Sequence, residues 1–196
     1  MENYVKQEPH DVGFKTRLIS HRLADNVMLF TDDKTDEQVM VVLDHDFNAT
    51  MWVLRYGTKN SITFAESTQF WKGKGIARRA VFHYVTREHA TALRVGMTFH
   101  DSAFSSTPHE FEKTPEVGFE EIFWFLLPDG GKAILEGEGK WPSGEDVDET
   151  WPVRHGQTMD VPMGWHRVVA LPDEEGNVPR VGYVWAYLCL HDRWEK

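Results

Sequence analysis

FEEIFWFLLPDGG, residues 119–131, decides the fold class. Its centre, Ile122 to Leu127, is a short apolar run rich in aromatic residues, and it stops at Pro128-Asp129-Gly130-Gly131, a turn-forming cluster. The same grammar recurs along the chain. Val39 to Leu43, Met51 to Leu54, Ala80 to Val85, Leu93 to Phe99, Arg167 to Leu171 and Val181 to Leu188 are further strand signals. Pro142-Ser143-Gly144 and Asp173-Glu174-Glu175-Gly176-Asn177 are further turns, whose Gly and Asn residues tolerate the positive φ of tight connections. Only Lys15 to Leu23 and Glu66 to Trp71 are expected to form helix, and neither has a sustained 3.6-residue apolar period. The chain reads as mainly antiparallel β. Many short strands must bury one face against another sheet or close on themselves, so a barrel or jelly roll is expected over an open sheet.

With 196 residues, 41% of them hydrophobic, there is material for one compact domain and little room for a second. A formal net charge of -10 opposes a surface for polyanions, so nucleic acid is not expected as a partner. The longest apolar stretches fall far below the roughly 20 residues of a membrane-spanning helix, so no membrane association is expected. The first residues, MENYVKQEPHDVGF, lack the basic and apolar regions of a secretory signal. The single Cys189 has no intrachain partner. Both features point to a soluble protein of the reducing cytoplasm. A soft boundary falls near Phe70 to Gly75, after which strand signals become denser.

Three residues carry the chemistry. Residues two apart on a strand share a face, so His109 and Phe111 point one way while Glu110 and Glu112 point the other. Glu121 opens the next strand after a connection, residues 113–120, short enough for the two strands to pair. His166 follows Pro162-Met163-Gly164-Trp165, which turns the chain into the strand from Arg167. Imidazole nitrogen with carboxylate oxygen suits one divalent ion, Zn, Mn, Fe or Ni, and spacing does not choose among them. The alternative is three unrelated surface or core groups, since the chain has ten histidines.

The surrounding words narrow the choice. From about Gly73 to Trp194 the chain resembles the cupin isomerases of deoxy-uronates, the 5-deoxy-glucuronate isomerases and the related 5-keto-4-deoxyuronate isomerases. Gly73-Lys74-Gly75-Ile76-Ala77-Arg78-Arg79-Ala80-Val81 resembles that family's glycine-rich entry, with an arginine before the strand. Ser105-Ser106-Thr107-Pro108-His109 resembles the lead into its first metal histidine, and Phe119-Glu120-Glu121-Ile122-Phe123 its glutamate-ligand segment. Asp148-Glu149-Thr150 and then Gly156 to His166 are similar to the stretch ending in its last histidine ligand. The resemblance implies an all-β cupin double-stranded β-helix, a jelly-roll barrel over residues 73–196, preceded by a reduced N-terminal β region over residues 1–72. It also implies a sugar-acid substrate, aldose-ketose isomerisation, metal ligands His109, Glu121 and His166, and pairing into a homodimer.

One departure matters. The family carries His-x-His where this chain has His109-Glu110-Phe111, and phenylalanine cannot coordinate. The remaining two histidines and one carboxylate have the composition of a triad that leaves several positions open, which favours oxygenase chemistry on mononuclear Fe(II) as an alternative. A sugar-binding barrel without catalysis is another, because fold does not fix function. Glu112 is the candidate general base, or a replacement ligand if a bulge turns it inward. Arg79 and Arg167 are the candidate clamps for a substrate carboxylate, with solvation favoured for Arg154. Trp124, Trp165, Trp185 and Tyr187 are expected to fill the core, although each can stack on a sugar ring. Cys189 is expected to be a buried small hydrophobe, and the acidic Lys140 to Trp151 segment a solvated loop.

Overall fold

The computed structural model describes residues 17–54, 62–65, 67–105, 121–140, 144–161 and 164–189. In chain order its strands are Leu18–Ala24 (β1), Val27–Asp32 (β2), Glu37–Leu43 (β3), Ala49–Leu54 (β4), Ile62–Ala65 (β5), Thr68–Lys72 (β6), Arg79–Val85 (β7), Leu93–His100 (β8), Glu121–Leu126 (β9), Lys132–Lys140 (β10), Asp146–Val153 (β11), Thr158–Val161 (β12), Gly164–Leu171 (β13) and Val181–Leu188 (β14). Strands β1 to β5 form an antiparallel meander. A six-stranded sheet runs β12-β9-β14-β8-β7-β6, and a three-stranded sheet runs β11-β10-β13. The free edge of β13 is extended by Ala103 to Ser105: the Ala170 N–H donates to the Ala103 carbonyl at 2.9 Å and the Ser105 N–H to the Val168 carbonyl at 2.9 Å.

The six-stranded sheet is covered on both sides. Leu93, Val95, Met97 and Phe99 of β8, Ile122, Trp124 and Leu126 of β9, and Val184 and Ala186 of β14 pack with Leu18, Phe30, Val39 and Met51 of the meander. The opposite faces of β9 and β14, with Phe123, Phe125, Tyr183, Trp185 and Tyr187, pack with Leu135 of β10 and Val168 and Ala170 of β13. Every residue of β8 and of β9 is buried. A sheet buried on both faces reads as a continuous apolar run rather than an alternation, which is why these strands are visible in the sequence. By contrast β3 and β10 alternate between buried and more exposed positions along much of their length.

Three expectations are overturned. Residues 18–24 are strand β1, not part of a helix: Leu18 pairs with Asp32 and Arg22 with Met28, so sheet pairing outweighs local helix preference. The helix expected over Glu66 to Trp71 gives way to strand β6, which pairs with β7 from Thr68↔His83 to Lys72↔Arg79. Within the acidic segment, residues 146–151 are not a loop: β11 pairs with β10 from Ala133↔Val153 to Lys140↔Asp146, turning Val147 and Val153 inward while Asp148 and Glu149 stay exposed. A run of charges hides a strand when its apolar residues are few and widely spaced.

Two contacts fix the frame. At Gly96 an added Cβ would collide with the Trp185 ring and the Phe82 carbonyl, so β8 has no side chain there and the indole lies over the backbone. Gly96→Ala is expected to cost about 2–3 kcal/mol through overpacking, read as a lower urea midpoint with an unchanged slope. In the meander the fully buried Asp32 receives two hydrogen bonds from Arg17, at 2.6 and 2.6 Å, and others from the Lys34 amide and the Thr35 hydroxyl. Burial pushes this carboxyl up, but the bonds together hold it below its usual value. Its stabilising contribution is therefore whole above the unfolded value of 3.8 and is lost as pH falls through the lower folded value. Asp32→Asn is expected to lower the melting temperature at pH 7, with the difference from wild type shrinking in acid.

Candidate functional site

Register brings two of the expected ligands together. Glu121, the first residue of β9, faces the interior between the six-stranded and three-stranded sheets, as do Phe123 and Phe125 two and four residues on. His166 projects into the same space from β13, in line with Val168 and Ala170. The Nε2 of His166 lies 3.2 Å from an Oε of Glu121, and both side chains are 0% exposed. The two atoms face each other without the alignment of a hydrogen bond. Two donor atoms each about 2.1 Å from one ion, with an angle between square and tetrahedral at the metal, stand about 3.0–3.4 Å apart. The observed separation meets that requirement. Phe123 packs edge-on against the His166 ring, with centroids 5.5 Å apart, and so fixes its orientation.

Among the described residues no group of three His, Cys, Asp or Glu side chains surrounds one point. His109 and Glu112 lie outside the described residues, as does Phe111. The two expected clamps do not join the pair. Arg167 follows His166 and therefore points to the opposite face of β13, where Glu136 holds its guanidinium in an ion pair and the Phe104 ring lies beneath it at 4.4 Å. Arg79 stands at the start of β7, near His100 and the far end of the sheet. On β14 the partner of His100 is Val181 and that of Glu121 is Tyr187, six residues or about 20 Å along the strand.

Polar groups that the sequence reading passed over line the same interior. Tyr183 hydrogen-bonds to Ser105 and Thr98, Thr98 accepts the Trp185 indole N–H at 3.1 Å, and Ser105 accepts the Val168 amide at 3.1 Å. His83 meets Trp185 edge-on at 5.3 Å. His100 is 2% exposed, and its Nδ1 donates to the Ser102 carbonyl at 2.8 Å, which places the proton on Nδ1. Burial pushes this imidazole below its ordinary value, against the opposing effect of that bond. The signal was available: Arg94, Thr98 and His100 share one face of a strand whose other face is Leu, Val, Met and Phe. Polar residues on a doubly covered strand mark a lined interior.

A cavity of about 250 Å³ opens on the outer side of the three-stranded sheet, where Glu136, Glu138, Asp148, Thr150, Trp165 and Arg167 alternate with the inward His166. His166, Gly137 and Glu149 form one row across β13, β10 and β11. Gly137 puts no side chain between the other two. Trp165, 40% exposed, stands at the rim, whereas Trp124, Trp185 and Tyr187 are buried in the core. Cys189 is only half-buried.

By sequence, no protein-family model and no curated protein matches the chain. By structure, it is similar to an IolB-like protein from Salmonella typhimurium, with a TM-score of 0.56 and 17% identity over 81% of this chain and 65% of that one. The chain thus spans less than two thirds of that relative's length. A cupin 2 conserved barrel domain protein from Rhodopseudomonas palustris aligns with a TM-score of 0.42 and 12% identity, over 66% of this chain and 77% of that one. A predicted oxalate decarboxylase from Thermotoga maritima aligns at 0.39 and 17%, over 64% and 95%. The strand order and the likeness to the IolB-like protein give the all-β barrel of the expected cupin type. At these identities the likeness concerns architecture, the all-β double-stranded β-helix, and not activity. Among the described residues, no helix of this cupin is long and apolar enough to cross a membrane.

Burial pushes the Tyr183 phenol up to about 12, against the opposing hydrogen bond from Ser105. Neutral Tyr183 therefore stabilises the barrel fully below the ordinary value of 10.0, and that contribution is lost as pH rises through about 12. Phenolate absorbance at 295 nm is expected to show Tyr183 ionising with alkaline unfolding rather than before it. In Tyr183→Phe the amplitude of that step falls by one tyrosine.

Proposed function

We propose that this cupin binds one divalent metal ion and interconverts an aldose and a ketose form of a sugar acid of the uronate type. The observation that carries the reading is the 3.2 Å approach of the Glu121 carboxylate and the His166 imidazole, both fully buried. A carboxylate oxygen and an imidazole nitrogen turned towards each other are donor types that divalent ions take together. Glu121 and His166 would hold the ion, with His109 as the third ligand implied by the sequence resemblance. Zn, Mn, Fe and Ni all suit this donor set.

A divalent ion bound there supplies a Lewis acid for neighbouring carbonyl and hydroxyl oxygens, which eases transfer of a proton between adjacent carbons. The chain's own groups do the rest. Phe123 and Tyr183, with centroids 4.8 Å apart, wall the site in apolar surface and keep water from it. The isomerisation needs a base that removes the proton from one carbon and returns it to the next, with no external oxidant. Glu112 is assigned that role from its place in the sequence, three residues after His109. A small-molecule substrate, the cytoplasm as compartment and a homodimeric assembly complete the reading.

A second reading rests on Phe111. With that residue in place of a histidine, the ligand set has the composition of a facial triad, which favours Fe(II) oxygenase chemistry. Oxygen consumption by the ferrous protein separates the two. For the metal itself, elemental analysis of the purified protein is expected to give close to one equivalent. His166→Ala and Glu121→Gln are expected to lower metal affinity at least 100-fold while leaving the circular dichroism of the barrel unchanged. Wild-type protein without metal after incubation with Mn, Fe, Ni and Zn would falsify the reading, and a metal-loaded protein inactive across a panel of uronates would remove the isomerase assignment.

A further inference from the structure

We infer that Arg94 is the carboxylate-binding residue of this site, a role that rests on the reading of the substrate as a sugar acid. Arg94 lies on β8 in register with Tyr187 of β14, and Tyr187 is in register with Glu121 of β9. Arg94 shares the inward face of β8 with Gly96, over which the Trp185 ring sits, and with Thr98. Arginine, tyrosine and glutamate thus form one row across three neighbouring strands at the end of the barrel that holds Glu121. Two strand spacings separate the outer members, about 10 Å between Cα atoms.

The side chain is buried, 5% exposed. One guanidinium nitrogen, Nη1, donates to the carbonyls of Thr91 and of Leu93, the latter at 3.0 Å. Those bonds tie down one corner and hold the plane in place. Nε, on the opposite edge, is buried without a hydrogen-bond partner. Among the described residues no carboxylate forms an ion pair with Arg94. Glu37 is close by but accepts the Thr91 hydroxyl at 2.8 Å. A guanidinium stays protonated at any ordinary pH, so burying it without an anion is costly. The edge carrying Nε and Nη2 is the fork that accepts a carboxylate through two parallel bonds.

Arg167, on the outer face of β13, is already held by Glu136. A six-carbon acid whose carboxylate sits on the Arg94 fork extends its other end towards Glu121 and His166 across the row spacing. Arg94 thereby sets both the charge of the substrate and which of its ends reaches the pair.

The test is binding, measured by titration calorimetry on the full chain with D-glucuronate, D-galacturonate and the uncharged D-glucose. Wild type is expected to bind at least one uronate and to prefer it to glucose. Arg94→Gln is expected to weaken uronate binding roughly tenfold to a hundredfold, with glucose unaffected. Arg94→Lys keeps the charge but loses the fork, and it is expected to weaken uronate several-fold; it carries the test if Arg94→Gln fails to fold. Uronate affinity within twofold of wild type in a folded variant overturns the inference, and so does a wild type that binds no uronate. Arg94-dependent uronate binding without isomerisation under any metal leaves the inference standing and removes the isomerase reading instead.

Discussion

The central sheet of this protein has no solvent side. Strands β8, β9 and β14 are buried on both faces, one against the meander of β1 to β5 and the other against β10 and β13. This double covering forces a division of labour. The face towards the meander is aliphatic and aromatic throughout, because nothing there has to be reached. The face towards the barrel interior carries Glu121, Thr98, Tyr183, His100 and Arg94 among its rings. Burying such groups is expensive, so each must find a hydrogen bond, a counter-charge or a ligand. The Tyr183, Thr98, Ser105 and Trp185 network is the first solution, and the Glu121 and His166 contact is the second.

Much of the architecture is legible in the sequence for the same reason. Strands covered on two sides carry dense runs of Val, Phe, Trp and Tyr, and those runs, from Ala80, Leu93, Ile122 and Val181, are the ones found as β7, β8, β9 and β14. The strands that escape notice or are misread are those whose partners supply what their own residues lack. In β1, Ser20 is buried by pairing with Phe30, while Arg22 extends towards Gly156 in the turn between β11 and β12. In β11, a ladder of eight pairs with β10 overrides four charged residues in the stretch from Glu145 to Glu149. Local composition reports the side chains and is silent about the backbone partner.

The site is legible in a different measure. Glu121 and His166 can be picked out because their flanking words resemble a known pattern, and the register then places their side chains 3.2 Å apart. Arginines are harder, because a charge in a string looks the same whether it ends in water or in a core. Arg167 alternates away from its neighbour His166, and Arg79 falls at the distant end of the sheet. Arg94, set between Leu93 and Val95, is the one whose burial matters, and only the covering of β8 from both sides reveals it.

The meander has a further consequence for assembly. Many barrels associate by laying the outer surface of one sheet on that of a second copy. Here that surface is already occupied by the chain's own first strands, from Leu18 to Ala65, so a symmetric dimer of that kind would require evicting them. Any self-association must be built on other ground, such as the outer sides of β10, β11 and β13 or the back of the meander itself.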